Sequence, residues 1–306
     1  MLEIKRSIGR GFPGTPGGLY DILVQLQNAA FLTPTEVYFV SKGGNSTTGK
    51  SWETAFTTLT AAITAQRAMR ADKPSAEQSV EAYIIMAPGD YNENITSFPF
   101  STNIIGLGKL GTDKATRIYP DVGSPLAGTV SGLGLYNLRF QVKTTAVDCL
   151  DFNVFNCSII DGCEFVTDTN DAVNALSTQD CQNTIIRNCR VYSQDAGLFT
   201  RGFYFGGGAD KYLQGCRVEN NYIEGLDPTG TGIYIQNTCT VTGTLLRNNI
   251  IIITGAGTGI DDDSDGAVVI DNFVYTVGGT EYDIGNKGFR NHAKDTTGAP
   301  TFLPTY

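Results

Sequence analysis

The stretch IIRNCRV, residues 185–191, decides the fold, because its phrase returns along the chain with the residues changed. It is IIDGCEF at 159–165, LQGCRVENNYI at 213–223, LLRNNII at 245–251 and VIDNFV at 269–274. Aligned as apolar-x-x-[Cys/Asn]-x-apolar, the copies centre on Cys163, Cys189, Asn221, Asn249 and Asn272, with a weaker one on Leu138. From Leu138 the centre advances by 25, 26, 32, 28 and 23 residues. Second copies lie just upstream in two places, Val154 to Cys157 to Ile159 and Leu213 to Cys216 to Val218. Another series runs in step, through Val173, Phe203, Ile233 and Ile260, spaced by 30, 30 and 27 residues.

Two motifs sharing one period of this size describe a stacked architecture. Each unit holds short runs of alternating apolar residues punctuated by Gly, Asn and Asp, the pattern of strands and turns. Helical periodicity is missing from residue 80 onward, and LxxLxL phrasing is absent. The fold class is therefore all-β, a parallel β-helix in which each repeat is one coil and like residues stack on like. The Cys/Asn position is read as an inward bend between two strands. Asn there bonds to neighbouring coils and satisfies bend backbone groups. Cys fills the same slot as a small hydrophobe.

The totals agree. The 306 residues suffice for one large domain with a substantial core. Charged residues are 17% and glycines number 36, a mix that suits a β-rich protein with many turns. A net charge of −9 argues against a nucleic-acid partner. No run approaches the ~20 apolar residues of a membrane helix, so no membrane partner is expected. MLEIKRSIGRGFPG lacks an apolar core of the secretory kind. Seven cysteines without a CxxC, and a single His at 292, point to buried free thiols in a protein made in a reducing cytoplasm.

Residues 1–33 read as an arm, with the Pro/Gly-rich RGFPGTPGG (10–18) and a short amphipathic helix over Leu19 to Leu32. VYFV (37–40) is a strand and Gly43 to Gly49 a loop; Phe56, Leu59 and Ile63 place TAFTTLTAAI (54–63) on a helix. AYIIMAPGDYNENI (82–95) gives a strand, a turn at Pro88-Gly89 and an edge strand, and NIIGLG (103–108) follows. This order resembles the opening of the pectate-lyase-like, right-handed parallel β-helix superfamily, over roughly 37–285. The resemblance implies a capping helix ahead of the first coil, with the helix body at 34–286 and a tail at 287–306. The superfamily holds polysaccharide lyases and hydrolases, and also phage tailspikes and other virion proteins. With no secretion signal and a short arm, the chain resembles the phage members. That implies a homotrimeric structural virion protein, a decoration, fibre or tailspike component. It would dock on capsid or tail proteins through its arm and be made in the host cytoplasm. A polysaccharide-degrading enzyme and a module binding surface polysaccharide are the alternatives.

Few residues suggest chemistry. Asp261, Asp262, Asp263 and Asp265 form one acidic cluster. Asp261, Asp263 and Asp265 are the candidate carboxylates for glycan cleavage. They also match the first half of a calcium loop, D-x-D-x-D-G, so Ca2+ is the candidate cation there. Asn272 stands where the loop's bidentate Glu belongs. The His, Arg and Lys that polygalacturonase-like enzymes set beside their aspartates have no counterpart near this cluster. Arg187, Arg190, Arg201, Arg217 and Arg247 are read as outward residues on the flank of the helix. Tyr204 and Tyr234 share outward parity at one coil position, where they can take a sugar ring or enter a subunit interface.

Overall fold

The computed structural model describes residues 36–71, 81–206, 211–264, 266–284 and 288–295. The arm at 1–33 and its helix at Leu19 to Leu32, Asp265 and the tail beyond 295 lie outside the described residues. Within them the chain winds through three parallel sheets, and one coil shows the pattern. Ala172–Gln182 lies in sheet III, Ile185–Arg187 in sheet I and Arg190–Ser193 in sheet II, before Phe199–Phe205 returns to sheet III. Among the described residues, sheet I has ten strands and sheets II and III nine each. The winding is the right-handed parallel β-helix, the hand that parallel crossovers take.

Registers confirm the phrase alignment. Leu135, Ile160, Ile186, Val218, Leu246 and Val269 form one inward row of sheet I. Phe140, Phe165, Val191, Ile223, Ile251 and Val274 form the facing row of sheet II. All are buried, and each such side chain contributes roughly 1.5–3 kcal/mol of transfer free energy.

The bend between sheets I and II explains the Cys/Asn exchange. The residue before the inward one takes a left-handed conformation at Gly162, Asn188, Asn220, Asn248 and Asp271, where Gly, Asn and Asp are least penalised. The inward Asn residues then form a ladder. Asn249 Nδ2 donates to Asn272 Oδ1 at 2.9 Å and to the Val218 carbonyl at 2.9 Å. Asn221 Nδ2 donates to Asn249 Oδ1 at 3.0 Å. The ladder ends on a cysteine rung, whose Cys189 backbone N–H donates to Asn221 Oδ1.

Four details differ from the sequence reading. The helix α1 spans Leu59–Ala71. It begins later than the apolar spacing suggests because Phe56 pairs with Val40 and Thr58 Oγ1 accepts the Ala61 N–H. Glu93, from the segment after Pro88-Gly89, accepts the N–H groups of Leu59 and Thr60 at 2.7 Å each, which pins the start of the helix. The coils continue past 286: Gly288–Phe289 and His292–Asp295 extend sheets I and II, and Asn291 adds a rung below Asn272. Gly288 and Ala293 stand where bulky residues stand elsewhere, which hid this copy.

The other two differences are shifts of frame. Phe203, Ile233 and Ile260 stack as expected, but their partner in the preceding coil is Leu176, not Val173. The upstream copy at Cys157 is displaced by one residue. Phe155 pairs with Cys181, so Ser158 is the inward residue and Cys157 is an exposed left-handed one. The other six cysteines are buried free thiols.

The glycines of the second series have a packing cause. A Cβ on Gly202 would meet the Gly232 carbonyl oxygen at 2.4 Å and Ile223 at 2.9 Å. A Cβ on Gly232 would meet the Gly259 carbonyl oxygen and Ile251, each at 2.5 Å. Both therefore face inward beside the apolar residue that follows them, which turns Arg201, Tyr204 and Tyr234 to the outer face.

Candidate functional site

The outer face of sheet III gathers the polar candidates. Tyr204 and Tyr234 are paired across adjacent coils, with ring centroids 5.7 Å apart and planes 24° apart. The Arg201 guanidinium lies over both rings, 5.1 Å and 5.3 Å from their centroids. Among the described residues no carboxylate lies within ion-pair reach of Arg201. Among the described residues its positive charge is held by the two ring faces. The Tyr204 hydroxyl donates to Gln236 Oε1 at 2.9 Å and the Tyr234 hydroxyl to Asp263 Oδ2 at 2.9 Å. Asp261 is the next residue in the Tyr234 row, and Asp283 the one after. The tyrosines and the acidic pair, separate in the sequence, are thus one surface.

The electrostatics of the acidic end follow from crowding. Burial pushes the Asp261 carboxyl up to about 7, and the charges of Asp263 and Asp283 push the same way. Asp261 Oδ1 is buried and has no hydrogen-bond partner among the described residues, so the crowded carboxyl favours its protonated form. Asp262 does not belong to the surface. It is buried and accepts from the N–H groups of Ser264 and Ala267, which ties both to the end of the strand. Asp265 lies outside the described residues, among which no group of three or more His, Cys, Asp or Glu is arranged to hold a metal.

A second carboxyl pair flanks the tyrosines on the other side, and the sequence did not single it out. Burial raises the Asp148 carboxyl to about 6, with the Asp151 charge adding to it. Asp148 Oδ1 accepts the backbone N–H of Asn174 at 2.8 Å and its Nδ2 at 2.9 Å. Asn174 is itself buried, and its Oδ1 has no hydrogen-bond partner among the described residues. Asn174 is the neighbour of Arg201 in register. The available signal was outward parity on this one sheet, and register alone reveals it.

The remaining candidates separate. Arg187 pairs with Asp161 at 2.8 Å and Arg247 with Glu219 at 2.8 Å on sheet I. Arg190 pairs with Glu224 at 2.5 Å on sheet II. Arg217 is exposed on sheet I. His292 lies on the last strand of sheet II, away from the sheet III face.

No family model matches the chain, and no curated protein matches its sequence. Among solved structures, a pectin methylesterase from carrot is similar in fold, with a TM-score of 0.52 at 13% identity, over 86% of this chain and 83% of that one. Three parallel sheets, an inward Asn ladder and this likeness together give the chain the pectate-lyase-like right-handed parallel β-helix fold.

Proposed function

We propose that the protein recognises a polysaccharide through the outer face of sheet III, without cleaving it. The observation that carries this reading is Arg201 laid over the Tyr204–Tyr234 pair with no carboxylate partner among the described residues. A guanidinium on an aromatic platform offers five N–H donors and an apolar surface to a sugar. Asp263 and Gln236 engage the tyrosine hydroxyls and hold the rings in place. Asp263 is engaged by the Tyr234 hydroxyl, which favours a ring-positioning role for this carboxylate over a catalytic one. A panel of neutral and acidic polysaccharides, screened by calorimetry and by release of reducing or unsaturated ends, tests this. The expected result is binding without new ends, weakened at least tenfold by Arg201→Gln or by Tyr204→Ala with Tyr234→Ala. Release of ends by the intact protein, lost in Asp261→Asn, would establish an enzyme instead.

A structural virion component, docked through residues 1–33 and assembled as a homotrimer, is the second reading. A strip of exposed apolar residues favours the self-association it requires. Ile250 and Phe273 are neighbours on the outer face of sheet II, and Val268 is exposed on the adjoining sheet I. Such a strip suits side-by-side contact with further copies. The two readings are compatible, since the strip and the sheet III face lie on different sheets.

A further inference from the structure

Six of the seven cysteines are buried, and most of their sulfurs point at backbone carbonyls. Cys149 faces the carbonyls of Phe140 and Val166, Cys189 that of Arg187, and Cys239 that of Phe205. One pair is different. Cys181, on the sheet III strand Ala172–Gln182, and Cys216, at the bend one coil later, have their sulfurs 3.4 Å apart. Both residues are buried, and the Cys216 sulfur also lies 3.1 Å from the Cys181 carbonyl oxygen. A shift of little more than 1 Å would bring the sulfurs to the ~2.05 Å of a disulfide.

We propose that Cys181 and Cys216 are an oxidative modification site, converted by a small peroxide into an intramolecular disulfide that ties one coil to the next. The sulfur of Cys216, as thiolate, attacks one oxygen of the peroxide. The O–O bond breaks, a sulfenic acid forms, and the other oxygen leaves as water after taking a proton. The sulfur of Cys181 then attacks that sulfenic sulfur. The S–S bond forms, the S–O bond breaks, and hydroxide leaves with the Cys181 proton as a second water. The two thiols lose two electrons and the peroxide gains them. Cys216 is assigned the first step because its hydrogen bond with Cys181 holds its thiol below the ordinary range, while burial raises Cys181. The tie closes a long loop and stabilises the native stack by restricting the unfolded chain.

The test exposes the full chain to hydrogen peroxide, alkylates remaining thiols and maps the peptides without reduction. Cys157, the exposed thiol, is replaced in a parallel Cys157→Asn sample to remove links between chains. The expected result is loss of two thiols, one linked peptide pair carrying Cys181 and Cys216, reversal by dithiothreitol, and a melting midpoint several degrees higher. Cys216→Ala should lose both the link and the midpoint shift. If that variant does not fold, the map of the unsubstituted chain decides alone. Recovery of Cys181 and Cys216 as free thiols after peroxide has oxidised Cys157 in the unsubstituted chain, or a link between any other pair within the Cys157→Asn chain, would overturn the proposal.

Discussion

Single residues show where this chain departs from its own pattern. At the bend between sheets III and I, the left-handed position is Ser101, Gly132, Asn183, Gly215 and Gly243 in other coils but Cys157 in one. A thiol side chain gains nothing there, because it is exposed and its Cβ crowds the backbone. Cys157→Asn or Cys157→Gly should therefore stabilise the protein by about 0.5–1 kcal/mol, read as a higher denaturant midpoint with an unchanged slope. Asp261 is the second exceptional residue. Its folded carboxyl is raised to about 7, above its unfolded value near 4, so the native state holds the proton more tightly than the unfolded chain. The stability linked to that proton is full below pH ~4 and is lost as pH rises through about 7. Asp148, raised to about 6, acts in the same direction. Asp261→Asn should flatten the fall in melting midpoint between pH 4 and 8 and exceed the unsubstituted chain at pH 8. An unchanged pH profile would show that Asp261 titrates normally.

Among elements, the Asn ladder is the most exacting. Asn249 is fully buried and engaged on both sides, by Asn221 and by Asn272, with a further bond to the Val218 carbonyl. Asn249→Ala removes these bonds without admitting water and orphans buried groups in two coils. The expected cost is roughly 2–4 kcal/mol, measured by denaturant unfolding. Asn249→Cys, in the middle of the ladder, should recover part of the packing but not the bonds, and so fall between the two. Equal stability of Asn249→Ala and the unsubstituted protein would mean that the ladder is dispensable. The capping helix shows the complementary case. α1 is placed by a carboxylate 34 residues from its first backbone N–H, Glu93 on Leu59, and local propensity alone does not set its start.

Across the whole molecule, the surface divides by sheet. The outer face of sheet II begins with ion pairs, Arg117 with Asp90 and Arg139 with Glu164, and runs on through Tyr222, Ile250 and Phe273 to His292. The first coils carry charged side chains on this face, whereas Ile250 and Phe273 offer an exposed apolar edge. If that edge joins copies of the chain, sedimentation should give a trimer for the unsubstituted protein and a monomer for Ile250→Asp with Phe273→Asp. Helical and sheet content should be unchanged in that variant. A monomer at all concentrations would leave the strip without an assembly role.

The all-β class, the coil period and the inward rows were legible in the sequence, because stacking forces like residues to recur and the pleat forces alternate burial. Ile160, Ile186, Val218 and Leu246 announce one row by their spacing alone. Coils built from small residues were not legible, and Gly288 and Ala293 hid the last rung at Asn291 for that reason. The candidate site was legible only in pieces. Asp261, Asp263, Tyr204 and Tyr234 stood out by residue type, but nothing local joins them. Asp148 and Asn174 carried only a parity that register is needed to read, and Arg201 looked like any of five arginines. Their common address on sheet III depends on coil lengths that vary and on an extra inward glycine in successive coils. Register between distant segments is a property of the folded stack, so only the tertiary structure decided which polar residues share a surface and which pair away.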